Sequence, residues 1–304
     1  MDFSLNEEQR AWQMKARKFA AEVIRPLSLP REQIADPGKT WDWDLIRKGS
    51  EQGFRTLVVP KKYGGFEADF VTQALVMAEL AKADSAISKA FSQNWKWSHL
   101  ISAACSEDQK ERYLKPFVAD HAYTIGSAST EPFSGSDNRY PPEGSKWGYR
   151  LRAERDGDHW VLNGDKCFIA NGGVGKLFFI NARTDFNVQA RDGMTVFLVP
   201  QGTPGFRFGK QFNKAGWRFY QNAELIFENA RIPARDVVGE PNKGAKVRTG
   251  AAAEFSDFEL ACNALGVCDD ACESALQYAR ETVRHGRALA DQQRVALALN
   301  RMHM

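Results

Sequence analysis

The spacing of apolar residues changes period twice along this chain, and that constrains the fold more than any single motif does. Leu5, Trp12, Ala16, Phe19 and Val23 recur at helical spacing, with Ser4 and Glu7 in the pattern of a capping box and Pro26 as the expected stop. Residues 41–52 suit a second helix, and residues 56–60 read as a short extended run that turns at Lys61-Lys-Tyr-Gly-Gly65. Asp69 to Asp84 places Phe70, Ala74, Leu75, Met77, Leu80 and Ala81 on one broad face; residues 85–104 and 109–117 predict two further helices.

After residue 120 the period shortens to that of strands. Residues 147–153 alternate, Asp156-Gly157 supplies a hairpin turn, and His159-Trp-Val-Leu returns as the partner strand. Residues 177–180, 194–199, 206–208 and 225–227 predict more strands, with Gly and Pro between them. From Asn242 the pattern is helical again: Glu259, Leu260, Asn263, Leu265, Val267, Ala271 and Leu276 lie in one long helix reaching about Arg284, and a last helix starts near Asp291. Segregated runs of helices and strands predict an α+β protein: an N-terminal α-helical domain (1–120), a middle antiparallel β domain (121–237) and a partial C-terminal helical bundle (238–304).

Composition excludes several classes. A net charge of +3 is too mild to argue for nucleic acid, and 43% hydrophobic with 26% charged residues is ordinary for a globular enzyme. Cys105, Cys167, Cys262, Cys268 and Cys272 are odd in number and lack Cys-x-x-Cys spacing, so neither a disulfide framework nor zinc is expected. The five histidines form no metal-binding pair, and Gly172-Gly-Val-Gly-Lys176 lacks the spacing of a phosphate loop. With no basic-apolar leader after Met1 and no run of 18 apolar residues, a cytoplasmic location is expected.

Two stretches carry the chemistry. Ser127-Ala-Ser-Thr-Glu-Pro-Phe-Ser-Gly-Ser-Asp137 gathers hydroxyls and turn formers, so that backbone N–H groups and side chains can converge on a polar ligand. Asn163-Gly-Asp-Lys-Cys-Phe-Ile-Ala-Asn-Gly172 is a strand-like run between two Asn-Gly corners. Alone, each reads as an ordinary turn or strand. Together and in order, they resemble the paired signatures of the acyl-CoA dehydrogenase family, and the phrase from Gly53-Phe to Gly-Gly65 resembles that family's helix connection.

The resemblance spans the chain and implies a flavoprotein that binds FAD noncovalently and oxidises the Cα–Cβ bond of an acyl-CoA. A glutamate would take the α-proton while the β-hydrogen leaves as hydride to the flavin; electrons would pass to an electron-transfer flavoprotein or similar acceptor, within a homo- or heterotetramer. It implies that Ser127, Ser129 and Thr130 face the flavin's pyrimidine edge and that Ser136 approaches the pyrophosphate or the CoA thioester. Phe168, Ile169 and Ala170 would lie along the isoalloxazine, Phe168 in place of a common tryptophan and Ala170 where a hydroxyl residue is usual. Arg218 matches a structural arginine of the family.

Other features depart from the family or stay open. Arg284 and Gln293 would reach the FAD of a neighbouring subunit, although the usual Arg-x-x-Phe-Gly reads Thr282-Val-Arg-His-Gly286 here. Ser256 and Asp257 occupy substrate-side positions, and Asp257 stands where an arginine is common. Phe91, Trp95 and Trp97 could line an acyl pocket or simply fill a helical core. Arg139, Lys146, Arg150, Arg152 and Arg155 could attract CoA phosphates, although charges alternating with apolar residues are what an exposed hairpin shows.

On the resemblance, the catalytic glutamate would lie beyond Met304. That leaves a shortened reading frame, a noncatalytic subunit of a heteromeric dehydrogenase, or a base among Glu254, Asp257 and Glu259. A flavin monooxygenase on the same scaffold is a further alternative, against which the intact Thr130-Glu-Pro132 and Gly135-Ser-Asp137 count.

Overall fold

The computed structural model describes residues 4–134, 148–248 and 251–304, without the side chains of 248 and 251–254. The first helix, α1 (Glu7–Phe19), is capped by Asn6 rather than Ser4: Asn6 Oδ1 accepts from Gln9 N at 2.8 Å, and Asn6 N donates to Gln9 Oε1 at 3.0 Å. An Asn-x-x-Gln pair satisfies the same two orphan N–H groups as the predicted Ser-x-x-Glu. Pro26 does not end the helix. A π turn over Ala20–Ile24 widens the coil, Arg25 N donates to Ala20 O, and α2 (Arg25–Glu32) continues with Pro26 in its first turn, where the missing N–H and the ring are tolerated.

After α3 (Trp43–Glu51) the segment predicted as extended folds instead into successive tight turns, starting at Gly53 with φ +90°. Thr56 N donates to Gly53 O and Val59 N to Thr56 O. Its apolar residues reflect burial, not pairing, because Leu57 and Val59 are buried in the helical layer. Arg55 is buried among them and donates to Ser50 Oγ and to the carbonyls of Phe117, Val118 and Tyr123, joining this segment to the end of the helical layer.

Helices α4 (Phe70–Ala83) and α5 (Ser85–Ala104) follow, each capped by an aspartate, Asp69 and Asp84. The short α6 (Glu107–Gln109) and α7 (Lys115–Ala119) lead to the sheet. Its strands are β1 (Ile125–Ala128), β2 (Arg152–Asp156), β3 (His159–Ala170), β4 (Leu177–Arg183), β5 (Met194–Pro200), β6 (Phe206–Gln211) and β7 (Asn222–Pro233), in the order β1-β4-β2-β3-β7-β6 with β5 on β4. Gly157, at φ +59°, closes the predicted β2–β3 hairpin. The sheet is not wholly antiparallel: β1 runs parallel to β4, and β2 touches β4 in parallel at Arg152–Arg183. No tight turn joins those strands, so hairpin geometry does not dictate their direction.

Beyond the sheet come α8 (Gly244–Arg248) and the long α9 (Ala251–Glu281), which packs on α4 and α5. It ends slightly before the predicted Arg284, where β8 (Val283–Arg284) and β9 (Arg287–Ala288) form a small hairpin through His285 and Gly286, both at positive φ. Helix α10 (Gln293–His303) folds back on α9. Phe91 and Trp97 belong to the core, while Trp95 is both core and wall of a cavity described below. The main helical cluster takes in Phe219 and Tyr220 from the β6–β7 connection and Phe255 from α9, so helices and sheet share one interior. No helix of the described residues is long and apolar enough to cross a membrane.

Replacing Arg55 with Met should leave several buried carbonyls without donors. Urea unfolding is expected to show a loss of about 3 kcal/mol, since each orphaned buried group costs roughly 1–3 kcal/mol.

Candidate functional site

The two signature stretches meet edge to edge. Cys167 N donates to Thr130 O at 3.0 Å, and Lys166 Nζ donates to Glu131 Oε1 at 2.7 Å and to Ser129 O at 3.2 Å. Both partners of this ion pair are out of water, with side-chain exposures of 0% and 3%. The Glu131 carboxylate also accepts from Arg150 N at 2.6 Å and Leu151 N at 3.0 Å. Tyr149 completes the unit: its ring lies 4.7 Å from Lys166 Nζ and its hydroxyl 2.9 Å from Ser129 Oγ. A buried pair is tolerated only when its remaining hydrogen-bonding capacity is met, and here two backbone amides serve the carboxylate while a backbone carbonyl and the Tyr149 ring serve the ammonium.

Sequence reasoning singled out the hydroxyls and the strand, but not Glu131, Lys166 or Tyr149 as a unit. A signal was present. Lys166 shares the inward-facing parity of β3 with Trp160 and Leu162, and a charge at an inward position demands a buried partner.

Past Lys166 the β3–β7 register breaks before Ile169, and Phe168 sits in that irregularity at φ +56°, largely exposed. Its ring rests 4.2 Å from Phe212, and its carbonyl accepts from Asn222 Nδ2 at 2.8 Å. A bulky residue held at positive φ is a strained feature that only surrounding contacts maintain. Ile169 turns inward and is buried in the sheet core, so its side chain is not part of the exposed face. Ala170 packs instead against the helical cluster. Asn171 Nδ2 donates to Ile125 O at 2.8 Å, and a Cβ on Gly126 would stand 2.6 Å from Ala170 O, so only glycine lets β1 approach this corner.

Ser127 and Thr130 are half-buried beside this corner, whereas the Ser129 hydroxyl is engaged by Tyr149. An exposed aromatic ring flanked by half-buried hydroxyls fits a flat heterocycle with an apolar face and a polar edge, as a flavin has. Lys214, also missed by sequence reasoning, braces the same corner, donating to Tyr220 O and to Asn222 Oδ1 at 2.6 Å. Burial pushes its pKa down to about 8 against the opposing pull of Glu32.

The remaining candidates scatter. Ser136 lies outside the described residues, as do Arg139, Lys146 and the Glu254 side chain. Ser256 bonds with Lys96, and Asp257 is exposed on α9. Arg284 and Gln293 are exposed beyond the far end of α9, roughly 40 Å along the helix from Ser256, and do not join the corner in this chain. Arg218 is structural, donating from its guanidinium to Ile34 O and Ala35 O and from its backbone N to Glu32 Oε1. Arg150, Arg152 and Arg155 lie over the rings of Phe133, Phe186 and Trp160 on the exposed hairpin face. Among the described residues no cluster of His, Cys, Asp and Glu could hold a metal. A cavity of about 390 Å³ opens between Pro60, Phe70, Trp95, His99 and Phe255, and burial there holds the His99 pKa down.

Family models for the acyl-CoA dehydrogenase N-terminal, middle and C-terminal domains match residues 6–121, 126–230 and 242–304. An acyl-CoA dehydrogenase of Bacillus subtilis is 31% identical over 288 residues, covering 94% of this chain and 73% of the relative. The butyryl-CoA dehydrogenase structure from Megasphaera elsdenii superposes with a TM-score of 0.90 at 29% identity, covering all of this chain and 77% of that one. A glutaryl-CoA dehydrogenase from Mycobacterium smegmatis in complex with FADH2 gives 0.83 at 26% identity, covering 98% of this chain and 72% of that one.

Glu131→Gln should lower stability by about 3–5 kcal/mol in urea unfolding, because it strands the Lys166 charge, and Glu131→Leu with Lys166→Met should recover much of the loss. The depressed Lys214 pKa marks a cost of burying the charged amine, which is full below about 8, where folded and unfolded chains both hold the proton, and is relieved across the window in which only the unfolded chain holds it. The wild type should therefore gain stability relative to Lys214→Met as pH rises from about 8 to the ordinary lysine value of 10.5, with a constant difference below that window.

Proposed function

The chain belongs to the acyl-CoA dehydrogenase family, a family of flavin-dependent enzymes that oxidise acyl-CoA thioesters, and on that premise we propose that it binds FAD noncovalently at the Phe168 corner and carries out α,β-dehydrogenation. The observation that carries the assignment to this corner is the junction of the two stretches through Cys167, Thr130 and the Glu131–Lys166 pair. Bound there, a flavin would accept the β-hydrogen as hydride. Phe168 offers its exposed ring to the flavin, and Ser127 and Thr130 offer hydroxyls to the polar edge; Ser129 keeps the loop in place through Tyr149. Ala170 brings no hydroxyl, so hydrogen bonding at its position is left to the backbone.

Removal of the α-proton needs a carboxylate within reach of the thioester and preorganised donors for the enolate oxygen. Glu259 is unsuited, because Lys89 and Ser92 already hold it in the interior. Asp257, exposed on the same helix, and Glu254 near its start are the two candidate carboxylates that remain on α9. Electrons would leave to an electron-transfer flavoprotein or a similar acceptor. Exposed Leu260, Val267 and Leu297 on α9 and α10 support assembly with a further subunit, toward which Arg284 and Gln293 would reach.

Purified protein should carry a flavin absorbance spectrum that bleaches anaerobically on adding butyryl-CoA. A colourless protein that takes up no FAD would rule the proposal out; oxygen consumption coupled to substrate hydroxylation would instead favour a monooxygenase.

A further inference from the structure

The chain that leads into α4 and the second half of α5 border the cavity of about 390 Å³ met above. Its walls are aromatic and held from behind. Trp95 is fully buried and donates its indole N–H to Phe54 O. Phe70 and Phe255 both pack against Phe258, with ring centres 5.3 Å and 6.0 Å apart. Pro60 and Ala103 add to the apolar lining. None of these residues belongs to the Phe168 corner. No lysine or arginine among the described residues lines the cavity, so nothing there answers the phosphates of a CoA thioester.

The polar groups of the lining are mostly acceptors. Gln73, 6% exposed, forms part of the floor; its Nε2 donates to Ala68 O at 2.8 Å, which fixes the amide, and its Oε1 has no hydrogen-bond partner among the described residues. A donor seated against this floor would give that oxygen the partner it lacks. Glu67 and Asp69 stand exposed at the rim. Asp69 accepts from Thr72 N at 2.6 Å, and that bond holds its pKa below the ordinary aspartate value. Burial holds the His99 pKa down, so its ring is neutral at pH 7 and brings no positive charge. Aromatic walls, an unpartnered amide oxygen and two carboxylates suit a molecule with an apolar body and a positively charged donor, which ring faces also attract. A carboxylate on the same body would meet two like charges.

We propose that the cavity at the start of α4 is a second binding site, apart from the Phe168 corner, that takes a primary amine carried on a small aromatic body. The test is a ligand-observed NMR titration of the full chain at pH 7 with phenethylamine, 2-phenylethanol and phenylacetate, which share one ring and differ in the charge of the end group. Phenethylamine is expected to bind about tenfold more tightly than phenylacetate, with the alcohol between them, on the modest scale of charge effects at partly exposed sites. Added salt should narrow the gap. Glu67→Gln, at an exposed position, should weaken phenethylamine several-fold and leave 2-phenylethanol unchanged. Ala103→Trp, which is exposed at the wall and would fill the cavity, should abolish binding of all three while the thermal midpoint stays put. Absence of phenethylamine binding, equal or tighter binding of phenylacetate, or an affinity untouched by Glu67→Gln overturns the site. Binding that survives in folded Ala103→Trp lies elsewhere on the protein and overturns it equally.

Discussion

A buried salt bridge between Glu131 and Lys166 is the constraint on which the candidate site depends. These residues stand 35 positions apart in the chain, and each is the other's counter-ion in the interior. Their pairing brings Ser129 and Thr130 against the middle of β3, and Tyr149 locks the arrangement from behind. What remains on the outside is the bulge carrying Phe168. The exposed ring and the half-buried hydroxyls are therefore the outer surface of an internal electrostatic clamp.

The clamp would hold little if the sheet were free to shift against the helices. Arg55 and the buried residues of the β6–β7 connection prevent this, the first by gathering carbonyls at the end of the helical layer, the second by inserting Phe219 and Tyr220 into the helical cluster. The same insertion sets Tyr220 and Trp217 beside the α5–α9 seam, whose Lys89, Ser92 and Glu259 are polar where a core of this kind would ordinarily be apolar. Glu259 and Lys89 neutralise one another there, and the Tyr220 hydroxyl has no hydrogen-bond partner among the described residues. Two buried charge pairs thus serve different ends: one fixes a loop, the other joins two helices.

Much of this was legible from residue spacing. The change from helical to strand period separated helices from sheet, and the Asp156-Gly157 turn located the hairpin. Local rules misread places where tertiary structure overrides propensity. Pro26 marks a helix stop by its missing N–H, yet the π turn before it absorbs the defect. Leu57 and Val59 look like strand residues because burial, like pairing, selects apolar side chains. Ile169 shares a motif with Phe168 but faces the opposite way, because a register break reorients only part of the run.

By itself the sequence determined the class of the fold, most of its elements, and the pair of motifs whose resemblance pointed to the family. These are local properties: period, cap and turn chemistry act between residues a few positions apart. Only the tertiary structure decided that Glu131 meets Lys166, that Tyr149 reaches the Ser129 hydroxyl, and that Lys89 and Glu259 face each other across two helices. Those outcomes depend on desolvation, and a charge's loss of water is set by what the whole fold packs around it, not by its neighbours in the chain.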